Sequence, residues 1–354
     1  MFVVRDDSYS FFVYLKQKGD DHMKKGLLVM ENQNVDLVYP DHIKQAIQSH
    51  VEFVAPPMTA QELAENRHLL KDIHFIFTGW GGPRLDETFF KFAPHLEAVF
   101  YAAGSIRPIT TDLVWENNIT ITSAYAANAV PVAEYTLSQI LFSLKKGWHI
   151  VRETRNNRSY QHQLRNAIIG NFESVIGVIS LSTIGRKVIE MLAPFDLNVK
   201  LYDPFATAEE AAALNVELCS LDELFQSADV VSLHTPLLQE TIGMITGEHL
   251  KQMKQHATFI NTARGAIVKE REMTDVLAER SDLTAIIDVT HPEPPKSDSP
   301  LYTLPNIVLT PHIAGSIGPE CGRMGAYMLA ELERYLNHEP LQWQITKETF
   351  QNMA

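Results

Sequence analysis

The sequence predicts an α/β protein of two domains that follow one another along the chain, the first an α/β layer with a mainly parallel sheet and the second a doubly wound sheet. Three observations predict it. The 354 residues exceed what one core usually holds and suit two domains. From Gly26 to about Tyr125, short apolar runs alternate with polar stretches long enough for helices, the pattern of an α/β layer. From Val175 onward the alternation becomes regular, as the strand–helix–strand units of a doubly wound sheet require.

In chain order, stretch 1–22 mixes aromatics (Tyr9, Phe11, Phe12, Tyr14) with charges. It lacks the basic start, apolar middle and small-residue end of a signal peptide. Met23 stands directly before the first β-type run, 24–30, so the native start is expected there, with 1–22 an extension. Runs at 51–54, 73–77 and 98–101 read as further strands, rich in Val, Ile and Phe. Stretch 59–70 opens with Thr59 and carries Glu62 three positions on, a capping-box signature. Over 132–146, Leu137, Ile140, Leu141 and Leu144 form one apolar stripe at helical spacing, so a long helix is expected, facing a core or a second subunit. Strands are expected at 175–180, 199–202, 230–234, 258–261, 285–289 and 307–309, with helices at 184–192 and 269–279 between them. A last helix, 319–336, is expected to return to the first domain. The expected boundaries are 1–22 (extension), 23–125 (first domain), 126–310 (second domain) and 311–354 (returning segment).

Composition narrows the function. Hydrophobic residues make up 45% and charged residues 21%, the proportions of a soluble globular chain. The formal charge of −13 and the lack of a dense Lys/Arg run argue against a nucleic-acid partner. No apolar run reaches the roughly 18–20 residues of a membrane span, so no membrane association is expected. Cys219 and Cys321 form neither a metal-type pair nor a disulfide framework. Reducing, cytoplasmic surroundings and no metal are therefore expected.

The turn after the first strand of the second domain reads Ser180-Leu181-Ser182-Thr183-Ile184-Gly185-Arg186. In a dinucleotide-binding fold this turn carries G-x-G-x-x-G. Its glycines permit a tight turn, backbone approach to a pyrophosphate, and close helix–strand packing. Here the three positions are Ser180, Ser182 and Gly185. Serine stays small and can donate to phosphate, but gives up easy access to positive φ. Alone the motif is weak. Asp203, closing the next strand in Leu201-Tyr202-Asp203-Pro204, strengthens it. A carboxylate there accepts the ribose hydroxyls of NAD and repels the 2′-phosphate of NADP. The plainer reading of Asp203 is a turn-forming Asp before Pro. Arg186 either reaches the pyrophosphate or is a solvated side chain.

Five further segments stand in order: Asn128-Ala129-Val130-Pro131-Val132-Ala133-Glu134, Ala228-Asp229-Val230-Val231-Ser232-Leu233-His234-Thr235-Pro236-Leu237, Asn261-Thr262-Ala263-Arg264-Gly265, Asp288-Val289-Thr290-His291-Pro292-Glu293-Pro294 and Thr310-Pro311-His312-Ile313-Ala314-Gly315-Ser316. In order and spacing they resemble the D-isomer-specific 2-hydroxyacid dehydrogenases, over about residues 98–336. The resemblance implies two Rossmann-like/flavodoxin-like domains with parallel sheets and an active site in the cleft between them. The first domain would bind substrate and the second NAD(H). The implied reaction moves a hydride between NAD(H) and a small D-2-hydroxy acid or 2-keto acid, in the manner of a glyoxylate/hydroxypyruvate reductase. A homodimer is also implied, with 132–146 as a contact candidate.

The chemistry explains the residue types. Reducing a 2-keto acid takes a hydride and a proton on the carbonyl oxygen, and histidine is suited to proton transfer near neutral pH. The resemblance assigns that role to His312, acting as base in the other direction. A carboxylate beside an imidazole orients it and tunes its charge; the resemblance assigns this to Glu293. A planar guanidinium suits a carboxylate and a polarised carbonyl, and the match gives Arg264. By itself each has a plainer reading: a core or surface His, a loop Glu before Pro, an Arg at a strand end. Their joint spacing favours the site.

Further roles are implied. Ala102, Ala103, Gly104 and Ser105 resemble the loop whose amides hold the substrate carboxylate, and Asn128 a hinge on the cofactor side. Ser182, Thr183, Ile184, Gly185 and Asp203 would hold the cofactor's pyrophosphate and ribose, and His234, Thr235 and Pro236 would wall the adenine ribose. Thr262, Ala263, Asp288, His312 and Gly315 resemble the nicotinamide side, with Asp288 toward the carboxamide. After Gly104 the chain departs from its relatives, continuing Ser105-Ile106-Arg107-Pro108-Ile109. Arg107 is a candidate second cation at the mouth, or else a solvent-facing Arg before Pro. His291 reads as an exposed loop residue. Two rivals stand. One is an NAD(H)-sensing, corepressor-like binding protein with little or no turnover, resembling the C-terminal-binding-protein corepressors. The other is a formate or phosphite dehydrogenase on the same scaffold; Glu293, where formate dehydrogenases carry Gln, counts against formate.

Overall fold

A computed structural model describes residues 23–351 apart from Gln161 and Ile169; the 1–22 extension lies outside the described residues. The first sheet holds β1 (Lys24–Val29), β2 (Val51–Phe53), β3 (Phe75–Thr78), β4 (Ala98–Tyr101) and β5 (Thr120–Ser123). All pairs are parallel, in the order β2-β1-β3-β4-β5. The second holds β6 (Val175–Ile179), β7 (Asn198–Tyr202), β8 (Glu217–Leu218), β9 (Val230–Leu233), β10 (Thr258–Asn261), β11 (Thr284–Ile287) and β12 (Ile307–Leu309). It too is all parallel, ordered β12-β11-β10-β9-β6-β7-β8. Every residue of β3, β4, β9, β10 and β11 is buried. That is why these strands read as continuous apolar runs: a parallel sheet is covered on both faces.

Each sheet reverses its order once. In the second, the chain leaves β6, builds β7 and β8 outward, and returns to the far side of β6 with β9. In the first, β1 and β3 flank the equivalent gap. Ligands bind at such switch points, beyond the carboxyl ends of the strands.

Helix bounds differ from expectation in ways that have local causes. The capping box of Thr59 and Glu62 forms, but the helix it opens is Ala60–Glu65. The Asn66 side chain donates to the Glu62 carbonyl at 3.0 Å and competes with the backbone there, and a 3-10 turn, Arg67–Asp72, follows. The long helix is Tyr125–Leu144, with Pro131 inside it rather than before it. The proline removes one backbone hydrogen bond. The burial of Ala126, Ala127, Ala129, Val132 and Ala133 offsets that loss. Ala127 packs into the core of the first sheet and Ile140 and Leu144 into that of the second, so this helix joins the two.

The helix Cys321–Leu336 lays Cys321, Met324, Met328 and Leu332 against Val38, Phe75 and Phe100 of the first domain. A Cβ on Gly325 would lie 1.9 Å from the Val38 carbonyl oxygen, so only glycine permits this approach. The chain then covers the β5 edge. Ser123 N–H donates to Trp343 O at 3.0 Å and Ile345 N–H to Ile121 O at 2.8 Å. Buried Glu331 accepts from the Trp343 and Gln342 amides. Among the described residues, no helix is long and apolar enough to cross a membrane.

Candidate active site

Three loops beyond the carboxyl ends of β10, β11 and β12 carry the candidate catalytic side chains. Asn261, at the end of β10, shapes the first. Its Oδ1 accepts from Ala263 N–H at 3.0 Å and its Nδ2 donates to the Arg264 carbonyl at 3.2 Å. Arg264 is half-buried, and its Nη1 donates to the Ala263 carbonyl at 2.7 Å. Burial pushes the guanidinium's pKa down and the nearby Glu293 charge pushes it back up; arginine remains a cation at neutral pH. The next residue has to be glycine, since a Cβ on Gly265 would sit 2.1 Å from the Thr290 carbonyl carbon. The first loop is thus seated directly on the second.

Asp288 follows β11 and is 2% exposed. Its Oδ1 accepts from the Thr310 hydroxyl at 2.6 Å and Ile313 N–H at 2.8 Å, and its Oδ2 from Ala314 N–H at 2.9 Å. The Tyr135 hydroxyl continues the network to Thr310 at 3.1 Å. The carboxylate therefore holds the loop that carries His312. That histidine adopts φ +55°, a left-handed backbone costing about 1–2 kcal/mol for an L-residue. The bonds from Asp288 to its neighbours hold it there, as does its own N–H, 3.0 Å from the Asp288 and Thr310 carbonyls.

His312 Nδ1 lies 2.6 Å from Glu293 Oε1, and Glu293 Oε2 accepts from Thr290 N–H at 3.3 Å. Bonded to a carboxylate, Nδ1 carries the proton. Both side chains stay open to solvent, at 49% and 43%. No hydrogen bond engages Nε2 among the described residues, so it is free to meet a reacting group.

The first domain contributes the loop after β4. The Ser123 hydroxyl donates to Gly104 O at 2.6 Å and Ala103 O at 3.0 Å, fixing the base of Ala103-Gly104-Ser105. Asn128 stands between this loop and the one after His312. Its Oδ1 accepts from Ser316 N–H at 2.9 Å. A Cβ on Gly104 would lie 3.6 Å from its Nδ2, and one on Gly315 3.3 Å from its Oδ1.

At the switch point of the second sheet, Ser180 takes φ +81°, the conformation a glycine adopts without strain. Its hydroxyl donates to Asp203 Oδ2 at 3.1 Å, beside Leu181 N–H at 2.7 Å; Phe205 N–H donates to Oδ1 at 2.8 Å. Ser182 has an ordinary φ of −62° and caps the helix Thr183–Leu192 through Gly185 N–H. Its hydroxyl donates across the crevice to His234 O at 2.8 Å. Gly185 is obligatory, because a Cβ there would lie 2.0 Å from Ser180 O. Of the three motif positions, one needs glycine for space, one holds a strained serine, and one makes no conformational demand.

The crevice fits a polar dinucleotide. His234, Thr235 and Ser316 are 3%, 7% and 6% exposed, yet His234 Nδ1, Thr235 Oγ1 and Ser316 Oγ find no partner among the described residues. Buried polar atoms rarely stay unpaired. Burial pushes the His234 imidazole pKa down to about 3, so it stays neutral, with Nε2 2.9 Å from the Ser232 hydroxyl. Thr262 Oγ1 lies 3.3 Å from Thr136 Oγ1, at the joining helix.

Three of the named side chains have partners within the protein. Both carboxylate oxygens of Asp288 accept from the neighbouring loop after β12, which carries His312. Arg186 pairs with Glu210 at 3.3 Å, drawn by the carboxylate of a neighbouring capping box. Arg107 turns to the C-terminal helix, its guanidinium carbon 4.9 Å from the Phe350 ring centroid. His291 is exposed. Sequence reasoning passed over Ser316, although it ends a quoted motif, and the Ser180–Asp203 bond, which only the strained turn reveals.

Residues 137–314 match the model of the D-isomer specific 2-hydroxyacid dehydrogenase NAD binding domain. A D-3-phosphoglycerate dehydrogenase of Methanocaldococcus jannaschii is 29% identical over 306 residues, 86% of this chain and 57% of that protein. An (S)-sulfolactate dehydrogenase of Chromohalobacter salexigens is 34% identical over 235 residues, 66% of this chain and 75% of that one. The chain spans about half the length of the phosphoglycerate dehydrogenases it matches. Among solved structures, D-mandelate dehydrogenase of Rhodotorula graminis superposes with TM-score 0.77 at 21% identity, over 92% of this chain and 98% of that one. A NAD-complexed D-isomer specific 2-hydroxyacid dehydrogenase of Lactobacillus delbrueckii ssp. bulgaricus gives 0.74 at 22%, over 91% and 100%. The two superpositions show a shared fold.

Proposed function

The chain belongs to the D-isomer-specific 2-hydroxyacid dehydrogenases, and within that family we propose that it moves a hydride between NAD(H) and a small D-2-hydroxy acid or its 2-keto acid. The observation that carries the reading is the 2.6 Å contact of His312 with Glu293, its far nitrogen open, beside the half-buried cation of Arg264. Bound NADH supplies the hydride. Arg264 receives the substrate carboxylate and polarises the carbonyl. The amides of Ala103, Gly104 and Ser105 hold the same carboxylate from the first domain. His312 gives its Nε2 proton to the carbonyl oxygen, and Glu293, gripping Nδ1–H, keeps the ring in place. In oxidation His312 takes that proton back. Asp203 favours NAD over NADP, since a 2′-phosphate would face its carboxylate.

Two curated relatives are named for acids with a second anionic group, phosphoglycerate and sulfolactate. In this chain Arg107 is engaged with Phe350, which supports a monoanionic acid such as glyoxylate or hydroxypyruvate. A cytoplasmic homodimer completes the proposal. Phe142 and Val151, 40% and 46% exposed on neighbouring helices, supply an apolar surface suited to a second subunit.

The test follows NADH oxidation with glyoxylate, hydroxypyruvate, pyruvate, 2-ketobutyrate, phenylpyruvate and oxaloacetate, with NADPH in parallel. Turnover with NADH on small monoanionic acids supports the reading. Tight NADH binding without turnover on any acid points instead to a nucleotide sensor.

A further inference from the structure

Arg107 lies in the segment that follows the proposed carboxylate-binding residues, and that segment is held from several sides. Ile106 and Ile109 are buried. Arg84 Nη1 donates to the Pro108 carbonyl at 2.9 Å, and Leu85 N–H donates to Ile109 O at 2.7 Å. The exposed part is held by the far end of the chain. Arg107 Nη2 donates to the Phe350 carbonyl at 3.2 Å and approaches that of Gln351 at 3.5 Å, with the guanidinium over the Phe350 ring. A cation at the last carbonyls of a helix satisfies groups the helix leaves unpaired. Phe350 packs in turn on Trp115, ring centroids 4.8 Å apart, within the core cluster that includes Ile106.

The anchor is itself fixed. Ile345 is 2% exposed and bonded to β5, and Trp343 stacks on Tyr327 at 17° and meets Tyr125 edge-on. Ser123 belongs to the same strand edge: its N–H donates to Trp343 O and its hydroxyl holds Gly104. The base and the tip of the loop are therefore both tied to the C-terminal segment.

We propose that Arg107 is a positioning residue, coupling the C-terminal helix Lys347–Gln351 to the loop that holds the substrate carboxylate. The proposal rests on the dehydrogenase reading for the role of that loop. The C-terminal segment is then part of the scaffold of the substrate site, and the departure after Gly104 provides its attachment point.

The test compares Arg107→Lys, Phe350→Ala and Phe350→Tyr in the full chain. Lysine keeps the charge but not the planar stacking, and tyrosine keeps the aromatic face. Hydrogen exchange of the 103–110 amides is read by mass spectrometry, independently of turnover. NADH affinity is read by fluorescence, and KM by steady-state kinetics. Arg107→Lys and Phe350→Ala are expected to speed exchange at 103–110 and raise KM for the keto acid roughly two- to fivefold, the size of an exposed cation–π contact. NADH affinity stays unchanged, and Phe350→Tyr behaves as the parent. Unchanged exchange in both disrupting variants overturns the coupling, as does an unchanged KM. If the parent turns over no acid, the dehydrogenase reading fails, while the exchange arm still decides the coupling.

Discussion

Gly265 lies so close to Thr290 that a Cβ would fall 2.1 Å from that residue's carbonyl carbon. The contact seats the Arg264 loop on the loop that carries Glu293, so the spacing of guanidinium and carboxylate is set by backbone against backbone. Gly265→Ala is expected to cost about 1–3 kcal/mol, as overpacking does, and to lower turnover more than it lowers NADH binding. Urea unfolding and steady-state kinetics check this; a variant with parent stability and turnover would show that the loops adjust freely.

Asp288 is predicted to act through structure. Asp288→Ala strips partners from the Thr310 hydroxyl and the amides of Ile313 and Ala314. It leaves His312 in a left-handed conformation with less to hold it. A loss of at least about 3 kcal/mol follows from several charge-assisted bonds broken in a buried site. Denaturation midpoints read it, and a change within about 0.5 kcal/mol, the range of ordinary surface substitutions, would contradict it.

At Ser180 two effects oppose each other. The φ of +81° costs about 1–2 kcal/mol, and the hydroxyl bond to the Asp203 carboxylate returns about 1.5 kcal/mol, the low end for a bond to a charged group. Ser180→Gly removes both and is expected to leave stability nearly unchanged. Ser180→Ala keeps the strain and loses the bond, so it is expected to be the less stable of the pair. Thermal melts of both variants decide, and an alanine variant as stable as the glycine one would refute the balance.

His234 makes folding pH-dependent. Burial holds its pKa near 3 against an ordinary 6.5. Below pH 6.5 the unfolded chain binds a proton that the folded chain refuses until about pH 3. The unfolded state then carries more protons, so stability falls as pH drops through that window. His234→Asn should show a shallower fall between pH 7 and 5. Equal slopes in parent and variant would mean that other groups govern acid unfolding.

Much of this was legible in the sequence because parallel strands buried on both faces must be apolar throughout, as Phe75-Ile76-Phe77 and Ala98-Val99-Phe100-Tyr101 are. The Thr59–Glu62 cap was legible because its chemistry is local. Pro131 misplaced a helix start, because burial of the surrounding alanines outweighs one lost hydrogen bond. Ser180 read as a defect in a glycine motif, since a side-chain bond 23 residues away leaves no mark in the pattern. The partner of Arg107 lies 243 residues on, beyond any local signal. The spacing of Arg264, Glu293 and His312 was visible only as a likeness to a family; nothing in their local sequence dictates that β10, β11 and β12 lie side by side.

Whether His312 moves the proton is read from kcat and NADH affinity of His312→Ala beside the parent, on the best acid of the panel. Removing the imidazole is expected to lower kcat roughly 10²- to 10⁴-fold, the usual contribution of a positioned acid–base group, with NADH bound as tightly as before. A variant that retains most of its turnover would show that the proton comes from elsewhere and that the His312–Glu293 pair is structural.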